Sequence, residues 1–518
     1  MKSVLSTAPR KFLTHCLGLL ARFFVASRSQ IFVPICSLGA PRSGSKSPAH
    51  WASYFCGAVL SALALAACLG LGRLAAEEKT YTDKVDLPSS PFSEAATAVK
   101  QRPLGGGWTF TLGGSTQLRA QALDNRRDFD FGGNDEDFSL LERTRLNAAF
   151  AKDDLFKVFV EAQDAHEFWR DRLPGTNPNE DALDLYQGYL EFSLLKDIAD
   201  MPALRIRLGR QELFYGTEVL FGDRDWFNTG QSFDLARVTW RPEAFEIDFF
   251  AGRPVAFDHR NPDAPAPHTN LAGANLKFLD APARHRMEAY AYYRGDEETR
   301  FNSEHNGHGP EHLGTLGGLA SAPFFGRWDY RVEAMGQFGS RGGDPVRAWL
   351  GTAELGYTFP LGWRRVRLAV KQTLASGDRS PVDGVQETFD ILFGDPFEHT
   401  GKLLAVDGRN LNQFAAKLEA RVWQGGLVAV DFHRFRLFQE RDALYQGANG
   451  MPLRRDATGR AGGWAGHELD VQITHRFNEN VSLSGGGFFF MPGRLFEKSG
   501  NGGHDASRNL FLMLRLSF

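Results

Sequence analysis

The sequence predicts an all-β protein: a transmembrane antiparallel β-barrel of about 18 strands, with long outer loops and short periplasmic turns. Three observations predict it. From Trp108 onward, apolar and polar residues alternate with period two in segments of roughly 10 residues, the length a tilted membrane strand requires. Short and long connections alternate between those segments. The last segment, Leu510 to Phe518, alternates through to the aromatic final residue.

The region before the barrel is chemically different. All four cysteines lie at or before Cys68, which excludes a disulfide scaffold for the rest of the chain. Residues 1–76 hold no acid and eight basic residues; the first acid is Glu77. A basic leader, an apolar run from Gly57 to Leu71 and small residues ending at Ala75 and Ala76 read as a secretory signal with a long n-region. The apolar run is about 15 residues, short for an anchor helix, which needs about 20. An uncleaved anchor is one alternative. The other is acylation at Cys68 in the box Leu65-Ala66-Ala67-Cys68. Residues 77–107, with Pro88, Pro91 and Gly105 to Gly107, read as a flexible periplasmic leader, and 108–518 as the barrel. Eight of the 59 basic residues and none of the 62 acids leave with the signal, so a net charge of -3 becomes about -11.

Along the barrel each element follows from alternation. Trp108, Phe110, Leu112 and Leu118 share one parity and Thr109, Thr111, Gln117 and Arg119 the other. The rhythm recurs in Phe156, Val158, Val160 against Lys157 and Glu161; in Leu204, Ile206, Leu208 against Arg205 and Arg207; and in Trp328, Tyr330, Val332 against Arg331 and Glu333. Later segments are Val366, Leu368, Val370 against Arg365, Arg367 and Lys371, and Leu469, Val471, Ile473 against Glu468, Asp470 and Gln472. Inner turns are expected near 152–154, 196–202, 242–243, 280–284, 323–326, 360–363, 424–425 and 478–479. Outer loops are expected at 124–139, 167–184, 212–231, 254–268, 296–312, 339–345, 377–410, 439–466 and 492–507. A soluble sandwich has no reason to show this two-sided asymmetry. The alternating C-terminal strand ending in Phe518 resembles the signal read by the barrel assembly machinery.

A charge facing lipid at mid-bilayer costs about 2–4 kcal/mol, so the apolar parity faces lipid and the polar parity the lumen. On that assignment the wall holds about 19 basic against about 12 acidic side chains and is near +7. Such a lumen concentrates anions. The candidate pore-lining contacts are Arg119, Arg143, Arg145, Arg205, Arg207, Arg210, Arg237, Arg331, Arg365, Arg367, Lys371 and Arg421. Arginine suits carboxylates because its planar fork donates two hydrogen bonds without losing its charge. The competing reading has these cations paired with lumenal acids and bracing the wall.

Several segments resemble the alginate export family of outer-membrane porins: LGRQELFYGTEVLFGDRD (Leu208 to Asp225) with Trp226 and GQSFD (Gly230 to Asp234), RTRL (Arg143 to Leu146), FKVFVEAQDA (Phe156 to Ala165), DALDLYQGYL (Asp181 to Leu190), and ASGD (Ala375 to Asp378) with Thr388-Phe389-Asp390. The resemblance implies an 18-stranded barrel of the Gram-negative outer membrane that passes a linear anionic polysaccharide such as alginate through an arginine-lined constriction. It implies anion contact at Arg143, Arg145, Arg207, Arg210 and Arg237. Expected partners are the polysaccharide and outer-membrane lipid, with no nucleic acid, and the barrel is expected to be a monomer. A general anion or sugar porin, or a barrel whose outer loops carry adhesin or enzymatic function, are the alternatives. No Ser-His-Asp arrangement has a supporting motif, and neither cofactor nor metal is expected. His305, His308 and His312 and the acids from Asp124 to Asp137 read as solvated loops, and Gly485 to Gly487 as strand.

Overall fold

The structure, a computed structural model, describes residues 99–125, 129, 136–169, 179–194, 203–259, 261–281, 285–304, 307–361, 364–447 and 450–518. The expected signal, its boundary at 76, Cys68 and the first part of the expected leader lie outside them. The end of that leader is ordered by pairing: Arg102–Gly105 forms a short strand against Trp108–Phe110, through a turn at Gly105 to Gly107 with φ of 88°, 57° and 79°, which glycine adopts without strain.

Eighteen strands form one closed antiparallel barrel. They are β1 (Trp108–Asp124), β2 (Asp137–Lys152), β3 (Phe156–Phe168), β4 (Asp181–Leu194), β5 (Ala203–Gln211), β6 (Phe233–Arg241), β7 (Phe245–Ala256), β8 (Thr269–Phe278) and β9 (Arg286–Asn302). The second half is β10 (His308–Phe324), β11 (Trp328–Arg341), β12 (Asp344–Leu361), β13 (Arg364–Ala375), β14 (Leu411–Trp423), β15 (Gly426–Leu437), β16 (Trp464–Arg476), β17 (Val481–Pro492) and β18 (Ser507–Ser517). Each pairs with its sequence neighbour, and β18 returns to β1 with Ser517 opposite Ser115 and Arg508 opposite Asp124. Closure leaves no strand edge, the condition for a sheet to stand in lipid.

The parity assignment holds in the coordinates. On β18, Leu512 is 55% exposed on the outer face and its neighbour Phe511 is 6% exposed on the inner. Large aromatic residues, among them Trp108, Phe150, Trp240, Phe278 and Trp328, are exposed at the ends of strands next to the inner turns, where an aromatic girdle meets the interface.

Three expectations change. The outer connections expected at 296–312 and 339–345 are largely strand, because pairing continues from Asp296 with Glu311 to Asn302 with His308, and from Ser340 with Pro345 to Arg341 with Asp344. The inner wall is also not uniformly polar. In the outer half of the barrel Phe233, Leu313, Met335, Phe435, Phe488 and Phe490 point inward and are fully buried. They are covered by the connections 212–232 and 376–410, which fold back into the lumen, so the apolar core of the protein lies inside the barrel. Finally, Arg210 follows Leu204, Ile206 and Leu208 in parity and so leaves the lumenal face. It is buried at the outer rim, donating to Asp234 at 2.9 and 3.0 Å and to the carbonyls of Leu185 and Asp263.

Leu512→Arg on the lipid face should lower the stability of the barrel by about 2–4 kcal/mol. Urea unfolding in bilayers, followed by tryptophan fluorescence, reads this directly; an unchanged midpoint would contradict the lipid-facing assignment.

Candidate functional site

Two loops and the wall that holds them make the site. The first, 212–232, leaves β5 and turns at Gly216, whose φ of +62° lets the backbone lie against the wall. There Gly216 N donates to Glu288 Oε2 and Thr217 N to Glu333 Oε2, both at 3.3 Å, and Tyr290 donates its hydroxyl proton to Glu333 Oε1 at 2.8 Å. The buried carboxylates of β9 and β11 thereby satisfy loop backbone that would otherwise be stranded away from water. Further along, Arg143 on β2 donates to Asp225 Oδ1 at 2.6 Å and to the carbonyls of Asp225 and Phe227. Arg119 on β1 donates to the Trp226 carbonyl at 2.6 Å, with its guanidinium 4.0 Å from the indole centroid. Arg515 on β18 completes the clamp by binding the other oxygen of Asp225.

The second loop, 376–410, is held by the same two kinds of contact. Asp390 accepts from Arg294 on β9 at 3.1 Å and from Arg341 on β11 at 2.9 Å, while Arg409 lies 3.6 Å away. Gln337 grips the Asp390 backbone at both its N–H and its carbonyl. Glu468 and Asp470 on β16 accept the backbone N–H groups of Leu403 and Lys402. A four-residue helix, α1 (Pro396–His399), is capped by the Asp395 carboxylate, and Lys371 on β13 donates to its C-terminal His399 carbonyl at 3.0 Å.

The loops also bind each other. Phe393 N donates to Leu220 O and Asp395 N to Glu218 O, both at 3.0 Å, and Trp226 stacks on Phe397 with centroids 4.3 Å apart and planes at 11°. Acids gather at this junction: a Cβ on Gly222 would lie about 3 Å from both Glu218 and Asp395. Burial, reinforced by Asp223, Glu398 and Asp395, pushes the Glu218 carboxyl up to about 7; burial, with Glu398 and Asp223, does the same for Asp395. Burial would also raise Asp225, but Arg143 and Arg515 outweigh it and hold that carboxyl below the usual carboxylate range.

The remaining expected pore residues divide into two groups. Most are ion-paired across the wall. Arg145 bonds Gln163, approaches Glu212 at 3.6 Å and covers the Tyr186 ring; Arg207 binds Glu191 through two nitrogens; Arg237 binds Asp248; Arg367 binds Asp329 and Glu354. Arg205 shares Glu191 at 3.6 Å yet stays 53% exposed. The second group stands at the periplasmic end. Arg365 on β13 and Arg421 on β14 are direct cross-strand partners, both facing inward beside the inner turns. Like charges in that position repel. Arg331, inward on β11 three residues after Trp328, is exposed; neither it nor Arg421 makes a hydrogen bond or ion pair among the described residues.

Arg294, Arg341, Arg409 and Arg515 are not among the contacts the sequence predicts. Parity could have found Arg515, which alternates inward with Phe511 and Met513. Of the loop groups weighed for metal, His305 lies outside the described residues and His312 Nδ1 meets the Tyr293 hydroxyl at 2.9 Å. Asp124 pairs with Arg508.

The alginate export family profile matches residues 109–509. Solved structures similar to the chain include three from Pseudomonas aeruginosa. OccK2 (OpdF) has a TM-score of 0.49 at 10% identity, covering 79% of this chain and 98% of its own. OpdO has 0.48 at 11%, covering 79% and 97%. OpdL has 0.47 at 14%, covering 79% and 98%. The sequence matches no curated protein.

Two outcomes follow. Asp390→Ala leaves three arginines facing one another without their carboxylate and should cost about 3–5 kcal/mol, as removal of one partner from a buried ion network does; denaturant unfolding measures it. The raised acids at the loop junction bind protons more tightly folded than unfolded. Their contribution is therefore complete below about pH 4, the ordinary carboxyl range, and is lost as pH rises through about 7. Protease cleavage within 212–232 and 376–410 should be faster at pH 8 than at pH 5, after correction for the protease's own pH dependence on an unstructured substrate.

Proposed function

The chain belongs to the alginate export family and is an outer-membrane channel of a Gram-negative bacterium, and on that premise we propose that its lumen passes an anionic polysaccharide of the alginate type by passive diffusion. The observation that carries this reading is the cationic periplasmic end of the wall. Arg365 and Arg421 face each other directly across two strands, Arg421 makes no hydrogen bond or ion pair among the described residues, and Arg331 faces a Glu354 that Arg367 and Lys417 already share. Cross-strand like charges are destabilising, and a passing carboxylate would relieve the charge of Arg421. Arg205 and Lys157 stand near the same rim on β5 and β3, sharing one Glu191 with Arg207, so a chain of uronates would meet a succession of weak sites. Weak sites in series admit a polyanion and release it, whereas one tight site would hold it.

The charge pattern also sets a direction of approach. Deeper in, Arg294 and Arg341 are committed to Asp390, so the field that collects anions is strongest at the periplasmic mouth. This supports export of a polymer made on the inner side. The chemistry needed is recognition alone: a carboxylate is bound by guanidinium groups, is desolvated in part, and moves on with no bond made or broken.

In a planar bilayer the purified protein should pass anions in preference to cations and lose current when oligouronates are added. Replacing Arg331 and Arg421 together by Ala should lower the anion-over-cation permeability ratio by about threefold. Raising salt to about 1 M, where the Debye length falls to about 3 Å, should shrink the difference. Cation selectivity of the unmodified channel, or current indifferent to millimolar oligouronate, would sink the proposal.

A further inference from the structure

The carboxylates that tie the inward loops to the wall are not equivalent. Asp390 is 11% exposed and enclosed by Arg294, Arg341 and Arg409; Asp407, bound to Arg409, is fully buried. Asp225 is 38% exposed. Its two oxygens are divided between arginines of different character. Arg143, 4% exposed, also holds the Asp225 and Phe227 carbonyls and is committed to the loop. Arg515, 40% exposed, is held besides, among the described residues, only by Gln117 Oε1 at 2.7 Å. It stands on the lumenal face of β18, two residues from the strand's periplasmic end.

We infer that Asp225 is an internal substitute for the substrate's carboxylate, a latch that closes the 212–232 loop on the wall and is released when an incoming carboxylate takes its place on Arg515. This deepens the anionic-polysaccharide reading and rests on it for the identity of the competitor. The accessible half of the contact is the half the substrate would reach first. A guanidinium and a carboxylate pair equally well whether the carboxylate belongs to the loop or to a uronate, so the exchange replaces one charge-assisted contact by another and needs no charge to be left bare.

The neighbouring residue extends the effect to the second loop. Trp226 lies between the Arg119 guanidinium on one side and the Phe397 ring on the other, and Phe397 belongs to α1 of the 376–410 loop. Moving Asp225 off the wall draws on the Trp226 carbonyl held by Arg119 and on that stack. Release at Asp225 is thereby felt at the junction between the two loops, and the coupling is reciprocal: substrate favours the released loop, and a released loop favours substrate.

The test uses the full chain in planar bilayers with an oligouronate as the probe. Asp225→Asn should raise the open-to-closed ratio without probe by about tenfold, and low probe concentrations, which open the unmodified channel before they block it, should open this variant no further. Asp225→Glu, which keeps the charge, should behave as the unmodified protein. An open-to-closed ratio for Asp225→Asn equal to that of the unmodified channel overturns the latch. If Asp225→Asn does not assemble, Arg515→Gln reads the same contact from the wall, with the same rise expected and its absence equally fatal. The two ideas fail separately. An unmodified channel blocked by oligouronate, with Asp225→Asn unchanged, rejects the latch alone. A variant that opens in a channel indifferent to oligouronate rejects the polysaccharide and keeps the latch.

Discussion

Lipid offers no hydrogen bonds, so every backbone N–H and carbonyl within the membrane must be satisfied inside the sheet, and the return of β18 to β1 is what makes that possible. The pairing of Ser115 to Asp124 with Arg508 to Ser517 joins the two ends of a wall more than 400 residues long and removes its edges. Once the ring is closed, strand parity has only two destinations. Even positions of β18, such as Leu510 and Leu512, meet hydrocarbon; odd positions, such as Phe511 and Arg515, meet the lumen. The lumen is then an enclosed, partly dehydrated space in which charges interact strongly with whatever partner they have.

That enclosure explains why long connections fold inward. The inner ends of Glu288, Glu333, Glu468 and Asp470 are buried acceptors, and the 212–232 and 376–410 loops bring backbone N–H groups to each of them. In the same way Arg119, Arg143, Arg294 and Arg341 are buried donors answered by loop carbonyls and by Asp225 and Asp390. The apolar inward residues Phe233, Met335, Phe435 and Phe488 make a core only because these loops cover them. Charge complementarity positions the loops and apolar burial then adds to their hold, so a lumen and a protein core occupy the same space at different heights.

The wall's cations accordingly serve two purposes. Where a carboxylate of this chain is present, as at Arg207, Arg237 and Arg367, the cation braces the barrel and its field is largely cancelled. Where a cation stands opposite another cation, as Arg421 does opposite Arg365, that cancellation is weaker. A count of basic residues along the inner parity cannot separate these cases. Both kinds occur near the periplasmic rim, where Arg367 pairs with Asp329 and Arg421 stands opposite Arg365.

Much of this was legible in the sequence. Period-two alternation is local, so the strands, their lipid faces and the alternation of short and long connections can be read without tertiary knowledge, and β5 illustrates how far that reaches. Leu204, Ile206 and Leu208 already place Arg210 outside the lumen; the expectation that it lined the pore set residue type above parity. The outward extension of the strands at Asp296 to Asn302 and Ser340 to Arg341 was harder, since Asp296, Glu311, Arg341 and Asp344 resemble loop residues until their cross-strand partners are known. Which arginines meet a distant carboxylate lay beyond the sequence altogether. The carboxylate on Arg515 belongs to Asp225, 290 residues earlier, and Arg294 meets Asp390 across 96 residues. Local chemistry determined that this chain builds a barrel whose polar parity faces inward. Only the closed fold, by bringing distant loops inside it, decided which inward cations meet a carboxylate of this chain.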